Sequence, residues 1–195
     1  MSEALKIIEC PRDAMQGIHQ FIPTDLKAAY IDSLLKVGFD TIDFGSFVSP
    51  KAIPQLRDTA EVLSKLNIDE KSAHLLAIIA NERGARDASE FEEIRYLGYP
   101  FSISETFQIR NTNRGIDQAW DDIQRIVEVA TGHGKELVVY LSMGFGNPYG
   151  DPWNIDLIEH WVAKFHGIGV SILSLADTIG AASPEDISSI FQRII

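Results

Sequence analysis

Short apolar runs alternate along this chain with segments of helical period, and the alternation repeats roughly every 30 residues. Runs over 4–10, 39–44, 72–80, 100–104, 136–142 and 170–176 predict strands. Such runs, apolar on both alternating faces, suit a parallel sheet covered on each side. Segments over 24–37, 54–66, 82–97, 116–131, 154–166 and 183–195 predict helices, and 105–114 reads as a polar loop. Thr24 is placed to cap the first helix, whose apolar face carries Leu26, Tyr30 or Ile31, Leu34 and Leu35. Gly38 and Gly98 are read as helix stops. Ser183 caps the last helix, with Pro184 at its first position.

Six strand–helix units with right-handed crossovers imply an α/β fold with parallel strands. An open doubly wound sheet and a barrel compete. A chain of 195 residues is short for an eight-stranded barrel, which usually needs about 250. The polar residues favour the barrel, because nearly every strand ends in them: Arg12 and Asp13, Asp43 and Ser46, Asn81, Ser104 and Glu105, Ser142 and Asn147, Asp177 and Thr178. A closed parallel barrel gathers such positions at one mouth, whereas an open sheet spreads them along a line. The expectation is one domain over 1–195, a partial TIM (β/α)8-type barrel of about six units.

A chain with 45% apolar and 23% charged residues is an ordinary globular protein. Its net charge of -11, with no basic stripe, excludes general attraction to nucleic acid or to an anionic membrane. The longest apolar run, 73–80, has strand length and not membrane length. A single cysteine, Cys10, excludes an internal disulfide and fits a reducing compartment. With no secretion signal at the N-terminus, a cytoplasmic location is expected.

The candidate chemistry starts where the first strand, read as buried, stops at Pro11 and leaves Arg12 beside Asp13. A carboxylate there can hold a divalent cation or move a proton, and a guanidinium can hold a carbonyl or carboxylate oxygen. Asp13, Asp43 and Asp177 singly suit helix capping or loop amides. Together in one mouth with Arg12 they supply oxygen ligands and a general base. Residues 144–150, Gly-Phe-Gly-Asn-Pro-Tyr-Gly, resemble a phosphate loop but are one residue too long for the dinucleotide fingerprint, and read as a mobile loop over the mouth. His74 is expected as a hydrogen-bonded core residue and Cys10 as a packed thiol. His19, His133, His160 and His166 form no metal-ligand spacing. Lys51, Arg110 and Arg114 suit an acidic substrate or the phosphates of a carrier, and Arg57 a solvated surface.

Several of these pieces resemble the hydroxymethylglutaryl-CoA lyases of the aldolase-like metallolyase superfamily. They are Pro11-Arg12-Asp13 with Gln16, Ser46-Phe47-Val48-Ser49-Pro50-Lys51 with Pro54-Gln55 and Asp58, Asn111 and Asn113, Gly146 with Pro148-Tyr149, and Ser174 to Gly180. The resemblance implies a (β/α)8 barrel that cleaves 3-hydroxy-3-methylglutaryl-CoA, an acyl-CoA substrate, to acetyl-CoA and acetoacetate with Mg²⁺ or Mn²⁺. It implies Asp13 as metal ligand, Arg12 on the developing enolate oxygen, and Asp43 and Asp177 as acids around the substrate, Asp177 assisting proton removal. Gln16, Ser46, Asn147 and Tyr149 are the implied substrate-binding positions.

The sequence also departs from the family's pattern. Asp43 stands where a longer glutamate is usual, which places its carboxylate about one methylene short. Ala14 and Gly17 replace a glycine and an asparagine, and the H-x-H ligand pair, a later asparagine ligand and a glycine-rich loop with a catalytic cysteine are missing. Three readings follow: a shortened lyase, a noncatalytic binding relative, or an aldolase or synthase of the same superfamily. Weak metal affinity is expected in any of them, as is marginal stability or association into a homo-oligomer through bare first and sixth strands.

Overall fold

The computed structural model describes residues 5–70 and 72–194. The predicted first residue of the first strand, Ala4, and the last of the final helix, Ile195, lie outside them. The chain divides into two compact units, residues 1–79 with 83–97 and residues 80–82 with 98–195.

In the first unit β1 (Ile8–Glu9) leads into α1 (Pro11–Gln16), followed by α2 (Thr24–Leu35) and β2 (Thr41–Ser46). A 3-10 turn (Pro54–Leu56), α3 (Thr59–Leu63), β3 (His74–Ile78), α4 (Glu82–Ser89, from Arg83 on) and the first half of β4 (Ile94–Ser102) complete it. β2 lies between β1 and β3, parallel to both, with Thr41 opposite Ile8 on one side and His74 on the other. All six residues of β2 are buried, as a strand covered on both faces must be.

Four expectations are corrected in this unit. The first strand is two residues long and Ile8 is 46% exposed, so the mount for Arg12 is a helix and not a buried strand end. Thr24 lies inside α2 without capping it; its hydroxyl donates to Asp58 Oδ2 at 2.8 Å. The buried face of α2 is Lys27, Ala28, Ile31 and Leu35, with Leu26 and Tyr30 turned outward. The helix expected to run to residue 97 ends at Ser89, and residues 94–97 open β4. There Ile94 and Tyr96 are buried and Arg95 is exposed between them, and Gly98 is a strand residue rather than a stop. Branched and aromatic side chains on alternating sides of that run favour the pleat over a helix.

The second unit holds the rest of β4, then α5 (Glu105–Thr112), α6 (Ile116–Gly132), β5 (Glu136–Ser142), α7 (Ile155–Gly167), β6 (Ile172–Leu175) and α8 (Pro184–Ile194). β5 and β6 pair in parallel, Val138 opposite Ile172. Buried Ala119, Ile123, Ile126 and Ala130 recur at helical spacing on α6, and Ile158, Trp161 and Phe165 on α7. Phe101 of β4 packs on Trp161 and Phe165, with ring centroids 4.7 and 5.1 Å away. The segment expected to be a loop, 105–114, is mostly α5: Ser104 Oγ accepts from Phe107 N at its start, and Asn113 closes it in the left-handed conformation. Ser183 caps α8 as the sequence suggests, its hydroxyl and Asp186 exchanging hydrogen bonds. Among the described residues, no helix is long and apolar enough to cross a membrane.

Candidate functional site

In the first unit the implied site residues meet at the start of α1. Pro11 occupies the first helical position, where its missing N–H costs nothing, and Cys10 O accepts from Asp13 N and Ala14 N. This turn directs Arg12 at Asp43 on β2. Arg12 Nε lies 3.1 Å from both Asp43 oxygens, and Nη2 donates to Oδ2 at 2.5 Å. Nη1 donates to Asp13 Oδ1 and to Gln16 Oε1, each at 3.0 Å. Asp43, shorter than the family's usual glutamate, is met directly by the guanidinium.

Local backbone irregularity helps to aim Asp43. The β2–β3 register shifts between Asp43 and Gly45, a bulge of the kind that redirects a strand's side chains. Gly45 is required beside it, since a Cβ there would stand 2.4 Å from Thr59 Cγ2. Thr59 Oγ1 in turn accepts from Ser46 N at 3.0 Å. The Ser46 hydroxyl bonds Ile78 O and Val48 N, so this implied substrate position also stitches the end of its own strand.

Asp43 is 1% exposed, and burial pushes its carboxyl above the usual aspartate value against the opposing pull of Arg12. Asp13, by contrast, is 71% exposed. Cys10 is exposed and not the packed thiol expected, yet its thiol is pushed up to about 11 by desolvation first and by Asp43 second. It is a poor nucleophile at neutral pH.

In the second unit, the loop expected to be mobile is closed on itself. Asn147 Nδ2 donates to Asp151 O at 3.0 Å, and its Oδ1 accepts from Tyr149 N and Asp151 N. Asp151, which sequence reasoning missed, bonds the Ser104 hydroxyl, Thr106 N and Thr106 Oγ1, tying the loop to the start of α5. The available signal was Ser104-Glu105-Thr106, a helix-opening pattern. Tyr149 faces Phe107, and Arg110 lies over its ring at 4.8 Å. Asp177 is exposed and accepts from Ala181 N at 2.8 Å and Ala182 N at 3.1 Å. Arg114 pairs with buried Asp122. His74 is not a core residue: it is exposed at the start of β3, 3.1 Å from Arg95 Nη1. Arg57 lies over the Phe21 ring.

Among the described residues, no three His, Cys, Asp or Glu side chains gather so that they could hold a metal ion. Asp13 and Asp43 are both paired with Arg12, so the described residues do not fit a complete divalent-cation site.

The HMGL-like family model matches residues 5–195. The chain belongs to that family. It is 31% identical over 185 residues to the hydroxymethylglutaryl-CoA lyase YngG of Bacillus subtilis, covering 95% of this chain and 61% of that protein. The crystal structure of the B. subtilis HMG-CoA lyase superposes with a TM-score of 0.89 at 30% identity, over 96% of this chain and 62% of that one. An HMG-CoA lyase from A. baumannii, solved with coenzyme A and 3-methylmalate, gives 0.88 at 32% identity, over 95% and 60%. The likeness establishes the α/β fold of TIM-barrel type, with six parallel strands. This HMGL-like chain spans about 60% of the length of these relatives.

Proposed function

We propose that this HMGL-like chain carries substrate-handling residues of a carbon–carbon lyase acting on 3-hydroxy-3-methylglutaryl-CoA. The observation behind the reading is the Arg12–Asp43 pair, a guanidinium fixed by three contacts to one buried carboxylate. Retro-Claisen cleavage removes the proton of the tertiary hydroxyl. The electrons of the carbon–carbon bond then move onto the thioester, and the enolate carbon takes up a proton to give acetyl-CoA, while the other fragment leaves as acetoacetate. Negative charge develops on the thioester oxygen, and a cation already oriented by its own partner stabilises it without reorganising. Arg12 takes that role and Asp43 holds it in place. Asp177 is assigned the hydroxyl proton, Asp13 a contact to a divalent cation, and Gln16, Ser46, Asn147 and Tyr149 the positioning of substrate.

Two features support an acyl-CoA ligand: a relative was crystallised with coenzyme A, and Arg110 offers a cation stacked on Tyr149. The test is calorimetric titration of the chain with 3-hydroxy-3-methylglutaryl-CoA, beside a coupled assay for acetyl-CoA with Mn²⁺ present. Binding that Arg12→Gln weakens about tenfold or more is the expected result. A chain that neither binds the thioester nor forms acetyl-CoA refutes the proposal. Binding without turnover, unaffected at Arg12, favours a noncatalytic binding relative.

A further inference from the structure

Lys27 stands on the buried face of α2, only 2% exposed, where an apolar side chain would be ordinary. Its ammonium donates to Asp58 Oδ1 at 2.7 Å and to the backbone carbonyl of Gln55. It also lies 4.1 Å from the centre of the Phe21 ring, and the Arg57 guanidinium lies 4.0 Å from the same ring. Asp58 is saturated on its other side by the Thr24 hydroxyl. A buried ion pair contributes little net stability compared with well-packed apolar residues, so an arrangement of this cost calls for a role beyond holding two helices together.

The role lies in what the Gln55 side chain does from the position this pair fixes. Gln55 is 5% exposed, and its amide nitrogen donates to Ile18 O and Gln20 O, both at 2.9 Å. Its amide oxygen accepts from Ile22 N at 2.9 Å. One side chain thus satisfies three backbone groups in the segment that joins α1 to α2. That segment follows Gln16 immediately, and Ile18 N is anchored on Met15 O, inside the helix that bears Arg12. An amide with both ends engaged fixes the chain at three points, where a hydrophobic contact would let it slide.

We infer that Lys27, Asp58 and Gln55 form a positioning device that sets the placement of α1 and so keeps the Arg12 guanidinium seated on Asp43. The inference rests on Arg12–Asp43 as the working pair, but its experiment needs no substrate. A failure here therefore leaves the lyase proposal standing, and a failure to bind the thioester leaves this one standing.

The test is nuclear magnetic resonance of the ¹⁵N-labelled 195-residue chain, reading the Arg12 Nε–Hε signal, which Arg12→Lys identifies by deleting it. Gln55→Ala is expected to shift that signal and to speed its exchange with solvent about tenfold, with most other amide signals in place. Gln55→Glu keeps the acceptor for Ile22 N but sets a buried carboxylate against the carbonyls of Ile18 and Gln20, and is expected to move the signal at least as far. The double variant Lys27→Met, Asp58→Leu removes both charges together, leaves no unpaired ion, and carries the test if Gln55→Ala does not fold. Faster exchange at the Ile22 amide with an unmoved Arg12 signal would overturn the inference, since the clamp would then be a structural brace only. A lowered melting temperature with the Arg12 signal unchanged would overturn it equally.

Discussion

A carboxylate as enclosed as Asp43 is held charged by its cation, so removing that cation has a large effect. Arg12→Leu is expected to lower stability by about 3 kcal/mol, read by urea denaturation, because it strands a buried charge. The sign of its pH dependence follows from the upward shift of Asp43. A carboxyl that binds its proton more tightly when folded contributes fully below its ordinary value, and that contribution is lost as pH rises through the folded value. Arg12→Leu enlarges the shift, so the gap between variant and parent should be wider at neutral pH than in acid. Cys10 offers a second reading of the same residues. With its thiol pushed up to about 11, reaction with Ellman's reagent near pH 8 should be slow, and Asp43→Asn should accelerate it severalfold. The sequence shows Arg12 and Asp13 side by side after an apolar run, a pattern that by itself suits a surface ion pair as well as a site, and the two are in contact in the structure. The way Arg12 turns toward Asp43 was not legible, since it depends on a bulge in β2 and on Thr59 standing where Gly45 leaves room.

At the scale of single elements, α5 shows most clearly what local pattern conveys and what it omits. Its eight residues bury only Gln108, so no apolar stripe marks it as a helix. What specifies it is the Ser104 cap and a carboxylate, Asp151, 45 to 47 residues further along. Ser104→Ala should therefore lower stability by about 1 kcal/mol in thermal denaturation. Hydrogen bonds from Ser104 and Thr106 hold the Asp151 carboxyl below the ordinary range. Its contribution is complete above the unfolded value and is lost as pH falls through the folded one, so the protection of the Thr106 amide, measured against its intrinsic exchange rate at each pH, should fall in acid and hold steady at neutral pH and above. The cap of α8 was readable because Ser183 stands directly before Pro184, and the structure adds Asp186 as its partner. The face of α2 was misjudged by one position because a lysine at a core position finds its partner, Asp58, only in space.

For the molecule as a whole, the parallel α/β fold was evident from the repeat of strand and helix, and the family from short motifs such as Pro11-Arg12-Asp13 rather than from the repeat. A net charge of -11 draws cations loosely, but loose attraction is not a site. With no metal-holding group among the described residues, millimolar Mn²⁺ should raise the melting temperature by less than about 1 °C. A larger rise would reveal a bound ion and favour the cation contact assigned to Asp13. The Gln55 clamp, finally, has a kinetic corollary. Its bonds join residues 33 to 37 positions apart, so each requires the intervening helix and strand to be in place before it can form. Contacts completed after the rate-limiting barrier act on the way out rather than on the way in. In stopped-flow measurements Gln55→Ala should hasten unfolding and leave the refolding limb almost unchanged, so that Gln55 governs how long the native chain persists more than how quickly it is reached.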